Sequence, residues 1–260
     1  IIDNYGYIWV TLPSENSVCR VDVVSESIRV LNLPATATKL LKVGDKLMAY
    51  QRGSEKIFLI DPSSLKIVAS LELQNSLEDA WPSSNGFWAK FTGSYGLFLI
   101  GEDGSIFKEY RLEVMDSEQS LSEYGKIVWV VGSDGKSISR LDTSTGTSQS
   151  IRLEKLVYAI LAASENDAWV LTSDGAISLI STLSATPLKT VKPKSGIVGI
   201  NKMYLIEHDR IVFVNAASGV IGEIDGEMIN EQSLGGNLPT LADIFKKSKL
   251  YFIDVKRSVL

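Results

Sequence analysis

The sequence predicts an all-β chain: a seven-bladed β-propeller of four-stranded antiparallel blades, the last blade incomplete. Three observations carry that expectation. A large apolar or aromatic anchor recurs at Trp9, Met48, Trp88, Trp129, Trp169, Tyr204 and, in a weaker copy, Tyr251, at separations of 39, 40, 41, 40, 35 and 47 residues. A fixed period of roughly 20–50 residues is the mark of a repeat architecture, because each repeat is one supersecondary unit that buries its apolar face against the next. Each anchor sits in a short run rich in β-branched and aromatic residues, and further such runs follow across turns. Asp103-Gly104, Asp134-Gly135 and Asp174-Gly175 fall between those runs, and Asp-Gly is a strong hairpin signal.

Read in order as one domain over 1–260, the blades span residues 1–33, 34–73, 74–112, 113–153, 154–193, 194–226 and 227–260. The first has strands at 8–11, 18–22 and 28–31, with residues 1–3 fitting only its innermost strand. The second has 38–43 innermost, then 47–50, 57–61 and 67–71; the third has 87–91, 97–100 and 106–110. The fourth has 128–131, 138–142 and 148–152; the fifth has 157–161 innermost, then 168–171, 177–180 and 188–191. The sixth reads 196–200 innermost, then 203–206, 211–214 and 220–224. The seventh offers 240–245, 250–254 and the start of a third strand at 258–260, with a helical turn over 240–246 as the alternative for its start. Asp22, Asp61, Asp142 and Asn215 end third strands, where their side chains are expected to bond the backbone two residues on and close the next turn. One blade is incomplete, and the chain begins at Ile1 rather than Met, so the leading expectation is a processed or trimmed product with residues missing at one end, with a ring that closes on a short last blade as the alternative.

Composition narrows the function classes. With 45% hydrophobic residues and a mean hydropathy of +0.10, the chain can bury a sizeable core. A net charge of −5, with Lys and Arg scattered, gives no basic face for a phosphate backbone, so nucleic acid is not an expected partner. The apolar runs are too short for a membrane span. Cys19 is the only cysteine, which excludes an internal disulfide and reads as a small buried hydrophobe. High Ile, Leu and Val, a single His and Lys in excess of Arg point to a thermophile.

The phrase 5–11 (YGYIWVT), with 16–22 (NSVCRVD) and 28–34 (IRVLNLP), resembles the blades of the virginiamycin B lyase-like propellers, as do 165–170 (ENDAWV) with 173–177 (SDGAI), and 125–130 (GKIVWV). Surface-layer YVTN and NHL propellers share the same grammar. The resemblance implies the seven-bladed fold. For the lyases it also implies histidines and a Mg²⁺ held by acidic residues, whereas this chain has one histidine, His208, between Glu207 and Asp209. Gluconolactonase-type propellers, similar in outline, imply Glu, Asn and Asp side chains on a central metal, for which Glu78, Asp79 and Asp243 are the candidates on innermost strands.

No G-x-S-x-G elbow or phosphate-binding glycine loop is present, and no catalytic residue, metal ligand or cofactor is assigned. The loops joining second and third strands, and those joining blades, are expected to share one face, and loops on a rigid scaffold carry function. The candidates for binding a ligand or partner are Glu15, Asn16, Arg52, Tyr95, Asp134, Asp174, Glu207, His208 and Asp209, with the longer segments 114–120 and 231–237. Trp81 joins them as the only Trp outside the repeated position, able to stack on a flat ligand or a sugar, or to fill space between blades. The leading expectation is a non-catalytic binding or scaffold propeller engaging a protein, peptide or glycan partner. A metal-dependent lyase or lactonase with a diverged site is the first alternative, and a structural subunit of a surface layer or appendage the second. The expected location is extracellular or cell-surface, with the cytoplasm as the alternative.

Overall fold

Among the described residues the repeated runs become strands, all antiparallel. In a computed structural model of the chain, the structure describes residues 1, 3–22, 24–117, 119–184, 186–194, 200–215, 218–233, 244–246 and 249–251. They fall in two compact units, Ile1–Glu113 and Val114–Leu260. The only helical turn among the described residues is the short 3₁₀ segment Pro13–Glu15, and no described helix is long and apolar enough to cross a membrane.

In the first unit, β1 (Ile8–Leu12), β2 (Ser17–Asp22) and β3 (Ser27–Asn32) make a three-stranded meander. Ile1 covers the free edge of β1, exchanging two main-chain hydrogen bonds with Trp9 (2.8 and 3.0 Å), as the innermost-strand reading of residues 1–3 requires. Next come β4 (Lys39–Val43), β5 (Lys46–Tyr50), β6 (Ser54–Asp61), β7 (Lys66–Ser83), β8 (Gly86–Phe91), β9 (Leu97–Ile100) and β10 (Ile106–Tyr110). These form one seven-stranded sheet rather than two separate blades, because β7 is continuous. Its first part pairs with β6 and its last part with β8. Neither Gly nor Pro interrupts residues 66–81, so nothing in the local chemistry breaks the extended chain where the sequence reading places a blade boundary.

In the second unit, β11 (Leu121–Tyr124), β12 (Ile127–Val131), β13 (Ser137–Asp142) and β14 (Ser148–Arg152) form one four-stranded sheet. A second follows in β15 (Val157–Ala162), β16 (Asp167–Thr172), β17 (Ile177–Ser181) and β18 (Lys189–Val191), and a third in β19 (Ile200–Glu207), β20 (Arg210–Asn215), β21 (Val220–Asp225) and β22 (Met228–Ser233). The hairpin β23 (Ile244–Lys246) and β24 (Lys249–Tyr251) ends the described chain, so residues 244–246 are strand rather than helical turn. The expected strand at 196–200, apart from Ile200, the third-strand start at 258–260 and the candidate Asp243 lie outside the described residues.

The third sheet of this unit is displaced by one strand from the sequence reading. Trp129 and Trp169 lie on the second strands of their sheets, and the fully buried aromatic on the second strand of the next sheet is Phe213, on β20. Gly222 lies directly across the ladder, where an added Cβ would fall 1.9 Å from the Phe213 ring. Tyr204 belongs instead to β19, the edge strand, and 228–233, read as the opening of a seventh blade, supplies the fourth strand. With Phe213 as anchor the last two spacings become 44 and 38 residues in place of 35 and 47.

The anchors Trp9, Met48, Trp88, Trp129 and Trp169 are buried, and the core lies between neighbouring sheets. Trp169, Leu171 and Ile177 of one sheet, for example, pack with Met203, Ile211 and Phe213 of the next. At full burial each such side chain contributes about 1.5–3 kcal/mol. The indoles also stitch sheets together: Trp129 Nε1 donates to the carbonyl of Ser164 (3.4 Å) and Trp169 Nε1 to that of His208 (2.9 Å). Asp22, Asp61 and Asp142 each accept the N–H two residues on (2.8–2.9 Å), so the expected turn closure is present at these three; Asn215, which ends the second strand of its sheet, accepts instead the N–H three residues on, from Ser218 (3.1 Å). In the Asp-Gly hairpins only the glycine (Gly104, Gly135, Gly175) has positive φ; the turns at Asp103 and Asp174 are three-residue loops, a type I turn followed by a bulge, and the turn at Asp134 is a four-residue loop closed by the Gly132 N–H on the Ser137 carbonyl (2.7 Å).

Candidate functional site

Carboxylates at the strand turns are mostly engaged by the turns themselves. Asp134 Oδ1 accepts the Ser137 hydroxyl (2.7 Å) and the N–H groups of Ser137 and Lys136, while Arg152 donates to Oδ2 (2.8 Å). The Ser137 bonds, above all, hold the Asp134 carboxyl far below the usual carboxylate range. Asp174 repeats the arrangement, with Thr172 Oγ1 on Oδ1 (2.8 Å) and Lys192 on Oδ2 (3.3 Å), and the Thr172 bond lowers its pKa most. In the first unit, Glu15 is exposed in the 3₁₀ turn. Asn16 ends that turn in the left-handed region (φ 48°), its Oδ1 accepting from Thr36 and its carbonyl from the Leu33 N–H (2.7 Å). Arg52 Nε donates to the carbonyl of Glu78 (2.8 Å). Trp81 is 1% exposed, facing Trp88 across the ladder, so its indole is enclosed by protein and offers no face to a ligand.

Glu78 and Asp79, the two described candidates for a central metal, are each engaged by other protein groups. Asp79 is buried, and its carboxylate accepts Lys39 Nζ (3.0 and 3.1 Å), Tyr50 OH (2.9 Å) and the Ala80 N–H (3.0 Å), tying β4 and β5 to the end of β7. Glu78 pairs with Lys90 at 3.3 Å. Among the described residues no group of three or more His, Cys, Asp or Glu side chains is placed to hold a metal ion.

His208 stands apart from the other turn residues of its unit. It occupies the β19–β20 turn, and its Nε2 meets Asp167 Oδ2 at 2.8 Å, so its partner comes from the neighbouring sheet rather than from Glu207 or Asp209. Glu207 pairs in register with Arg210, which binds Glu223 (2.6 Å), and Asp209 is exposed. Burial raises the Asp167 pKa, but hydrogen bonds from Ser181, His208 and Ser164 outweigh it, and the carboxyl sits below its usual range. Because β16 begins at Asp167 and ends at Thr172, His208 contacts the opposite end of that strand from the Asp174 turn. The single loop face expected from sequence is therefore corrected: His208 and Asp174 lie at opposite ends of β16.

Sequence reasoning missed Gln119. The segment Val114–Ser120, read as a surface loop, is anchored inside: Val114 and Ser120 are buried, and Val131 bonds both Met115 and Ser120. The Gln119 carbonyl accepts the Ile160 N–H on the free edge of β15 (2.8 Å). Its side-chain amide exchanges two bonds with the main chain of Met203 on the free edge of β19 (both 2.9 Å). One residue, through its main-chain carbonyl on one side and its side-chain amide on the other, thus does the work of a strand between two edge strands.

The open site lies in the first unit. Tyr95, on the β8–β9 turn, is 79% exposed and borders a recess of about 360 Å³ lined by Ser94, Gly96, Glu109, Arg111 and Glu113. The turn is held by Ser94 Oγ, which accepts the Gly96 N–H at 3.1 Å. At Gly96 an added Cβ would lie 3.0 Å from the Phe98 ring and 3.3 Å from Glu109 Oε1, so the missing side chain lets the Glu109 carboxylate stand against the turn. The arrangement offers an aromatic face, two carboxylates and a guanidinium on rigid strand ends, and no nucleophile–base pair.

Four-stranded antiparallel sheets packed through buried anchors in this way are the units of β-propellers, and solved structures of that class are similar to the chain. The virginiamycin B lyase of Staphylococcus aureus matches with a TM-score of 0.69 at 17% identity, over 90% of this chain and 83% of that one. BamB from Moraxella catarrhalis matches with a TM-score of 0.66 at 16% identity over 94% and 78%, and a chain of the mitotic checkpoint complex with 0.67 at 13% over 89% and 74%. At such identities the likeness is one of fold. No protein-family model and no curated protein matches the chain.

Proposed function

We propose that the chain is a seven-bladed β-propeller acting as a binding or scaffold module, engaging a protein, peptide or glycan partner through the turns around Tyr95. The observation that carries this reading is the recess itself: a largely exposed tyrosine beside charged side chains, on a turn between two strands of one sheet. Large exposed aromatics with a polar tip are what interfaces use as anchors. The neighbouring folds suit such a role, since one of them is a chain of an assembly, the mitotic checkpoint complex.

Two further observations weigh against the lyase alternative. A catalytically inactive variant of the Staphylococcus aureus lyase carries a single histidine-to-alanine change, whereas this chain's one histidine is bonded to Asp167 in a link between sheets. Gln119 also bridges the free edges of β15 and β19, filling the gap between two neighbouring sheets with hydrogen bonds of the fold itself. The test is a mixed array of peptides and glycans probed with the wild type and with Tyr95→Ala. Expected is at least one ligand retained by the wild type and lost by the variant; an array on which Tyr95→Ala loses nothing overturns the reading.

A further inference from the structure

We infer that the Tyr95 recess takes a lysine or arginine side chain from a basic segment of a partner protein. This rests on the binding reading above and narrows it to one chemistry.

The first argument comes from how the chain uses its own aromatic rings. Arg20 lies 4.3 Å over Tyr7, Lys108 lies 5.1 Å over Tyr110 and Lys189 lies 5.6 Å over Trp169. Each ring face is covered by a cation within the distance at which the ring quadrupole attracts it. Among the described residues no cation covers Tyr95, the ring that projects furthest into solvent of these four. The second argument is charge. Glu109 and Glu113 outnumber Arg111 in the lining, and the chain as a whole carries −5, so both near and far fields draw a cation. The third is shape. Lysine and arginine lay an apolar stem along a ring while the charged head reaches an acceptor, and the recess pairs one flat ring with carboxylates at its side. Arg111 adds a donor for the incoming main-chain carbonyl and opposes a second cation, which favours one basic side chain over a dense polycation.

Fluorescence anisotropy with labelled octapeptides of alternating Gly and Arg, Gly and Lys, or Gly and Glu, alongside a labelled neutral oligosaccharide, tests this on the full chain. Expected is binding of the Arg and Lys peptides only, weakened about threefold to tenfold by Tyr95→Ala. The double variant Glu109→Gln/Glu113→Gln should also weaken it and flatten its salt dependence. Glu154→Gln/Glu165→Gln, which removes the same charge at exposed sites in the second unit, should leave it unchanged; an equal loss there overturns the inference by exposing unspecific charge attraction. Oligosaccharide binding that depends on Tyr95 without peptide binding overturns the basic-side-chain inference and leaves the binding reading standing. No binding by either basic peptide also overturns it, while the array decides the broader reading. Thermal melts of each variant exclude unfolding as the cause of any loss.

Discussion

Replacing Asp79 by Ala should destabilise the first unit more than any exposed charge change. The carboxylate side chain is 3% exposed and Lys39 opposite it 23%, so the pair is largely withdrawn from water. Four hydrogen bonds converge on Asp79: two from Lys39, one from the Tyr50 hydroxyl and one from the Ala80 N–H. Breaking a buried pair by removing one partner costs about 3–5 kcal/mol, because the remaining charge stays desolvated. Lys39 is long and has a partial route to solvent, which places the loss near the lower end, about 3 kcal/mol. That is still a large share of a typical folding stability of about 5–15 kcal/mol. Arg152→Ala is the comparison, since its pair with Asp134 is 72% and 37% exposed and surface pairs contribute only about 0–1 kcal/mol. Urea midpoints read by tryptophan fluorescence measure both, with Lys39→Met/Asp79→Leu as the apolar replacement expected to recover most of the loss. A loss for Asp79→Ala no greater than for Arg152→Ala would refute the argument that this carboxylate ties β4 and β5 to β7.

Gly222→Ala should cost about 1–3 kcal/mol through overpacking against Phe213, and Phe213→Leu in the same chain should recover part of it; a neutral Gly222→Ala melt would contradict Phe213 as the anchor. Trp169→Phe should cost about 1 kcal/mol beyond its packing change by deleting the bond to the His208 carbonyl, read as faster amide exchange in the β19–β20 turn. Acid should lower the melting temperature between about pH 4 and pH 2. The carboxyls of Asp22, Asp103, Asp142 and Asp174 are depressed by their turn bonds and that of Asp61 lies at about 2, so their contribution is complete above the unfolded pKa of about 3.9 and fades as pH falls through the folded one. Asp61→Ala should make that decline shallower, and an unchanged acid profile would mean the turn carboxylates carry no such linkage.

Local chemistry accounts for what was legible in the sequence. Trp9, Trp88, Trp129 and Trp169 announce the period because each is a bulky ring on a strand, buried to 1% exposure or less, and Asp22, Asp61 and Asp142 announce turns because their bonds reach two residues along the chain. The misreadings arose where one signal had two meanings. Residues 203–206 carry an aromatic in an apolar run, as an anchor strand does, so Tyr204 displaced Phe213. The uneven intervals of 35 and 47 residues were the clue, since an anchor moved by one strand shortens one interval and lengthens the next. The Asp167–His208 bond spans 41 residues and the Gln119–Met203 bridge 84, and no local pattern encodes pairs that meet only when sheets pack.

That one-strand displacement changes what His208 is for. On a second-to-third-strand turn it would have joined Asp134 and Asp174 in a cluster of titratable loop residues, the arrangement a site with a general base would use. On a first-to-second-strand turn it meets the opposite end of β16, where its carbonyl takes the Trp169 indole and its ring takes Asp167. Both bonds reach from one sheet to its neighbour, and Ser164, which shares Asp167 with His208 (2.8 Å), accepts through its own carbonyl the equivalent indole bond from Trp129 one sheet earlier. His208 therefore stands in a series of inter-sheet ties that Trp129 also uses, and its histidine chemistry serves packing. His208→Gln, which keeps a donor for Asp167, should then hold the melting temperature within a few degrees, while Asp167→Ala should lower it further by also releasing Ser164 and Ser181. Equal losses from the two variants would argue that the imidazole itself, rather than the acceptor it shares, is what the fold retains.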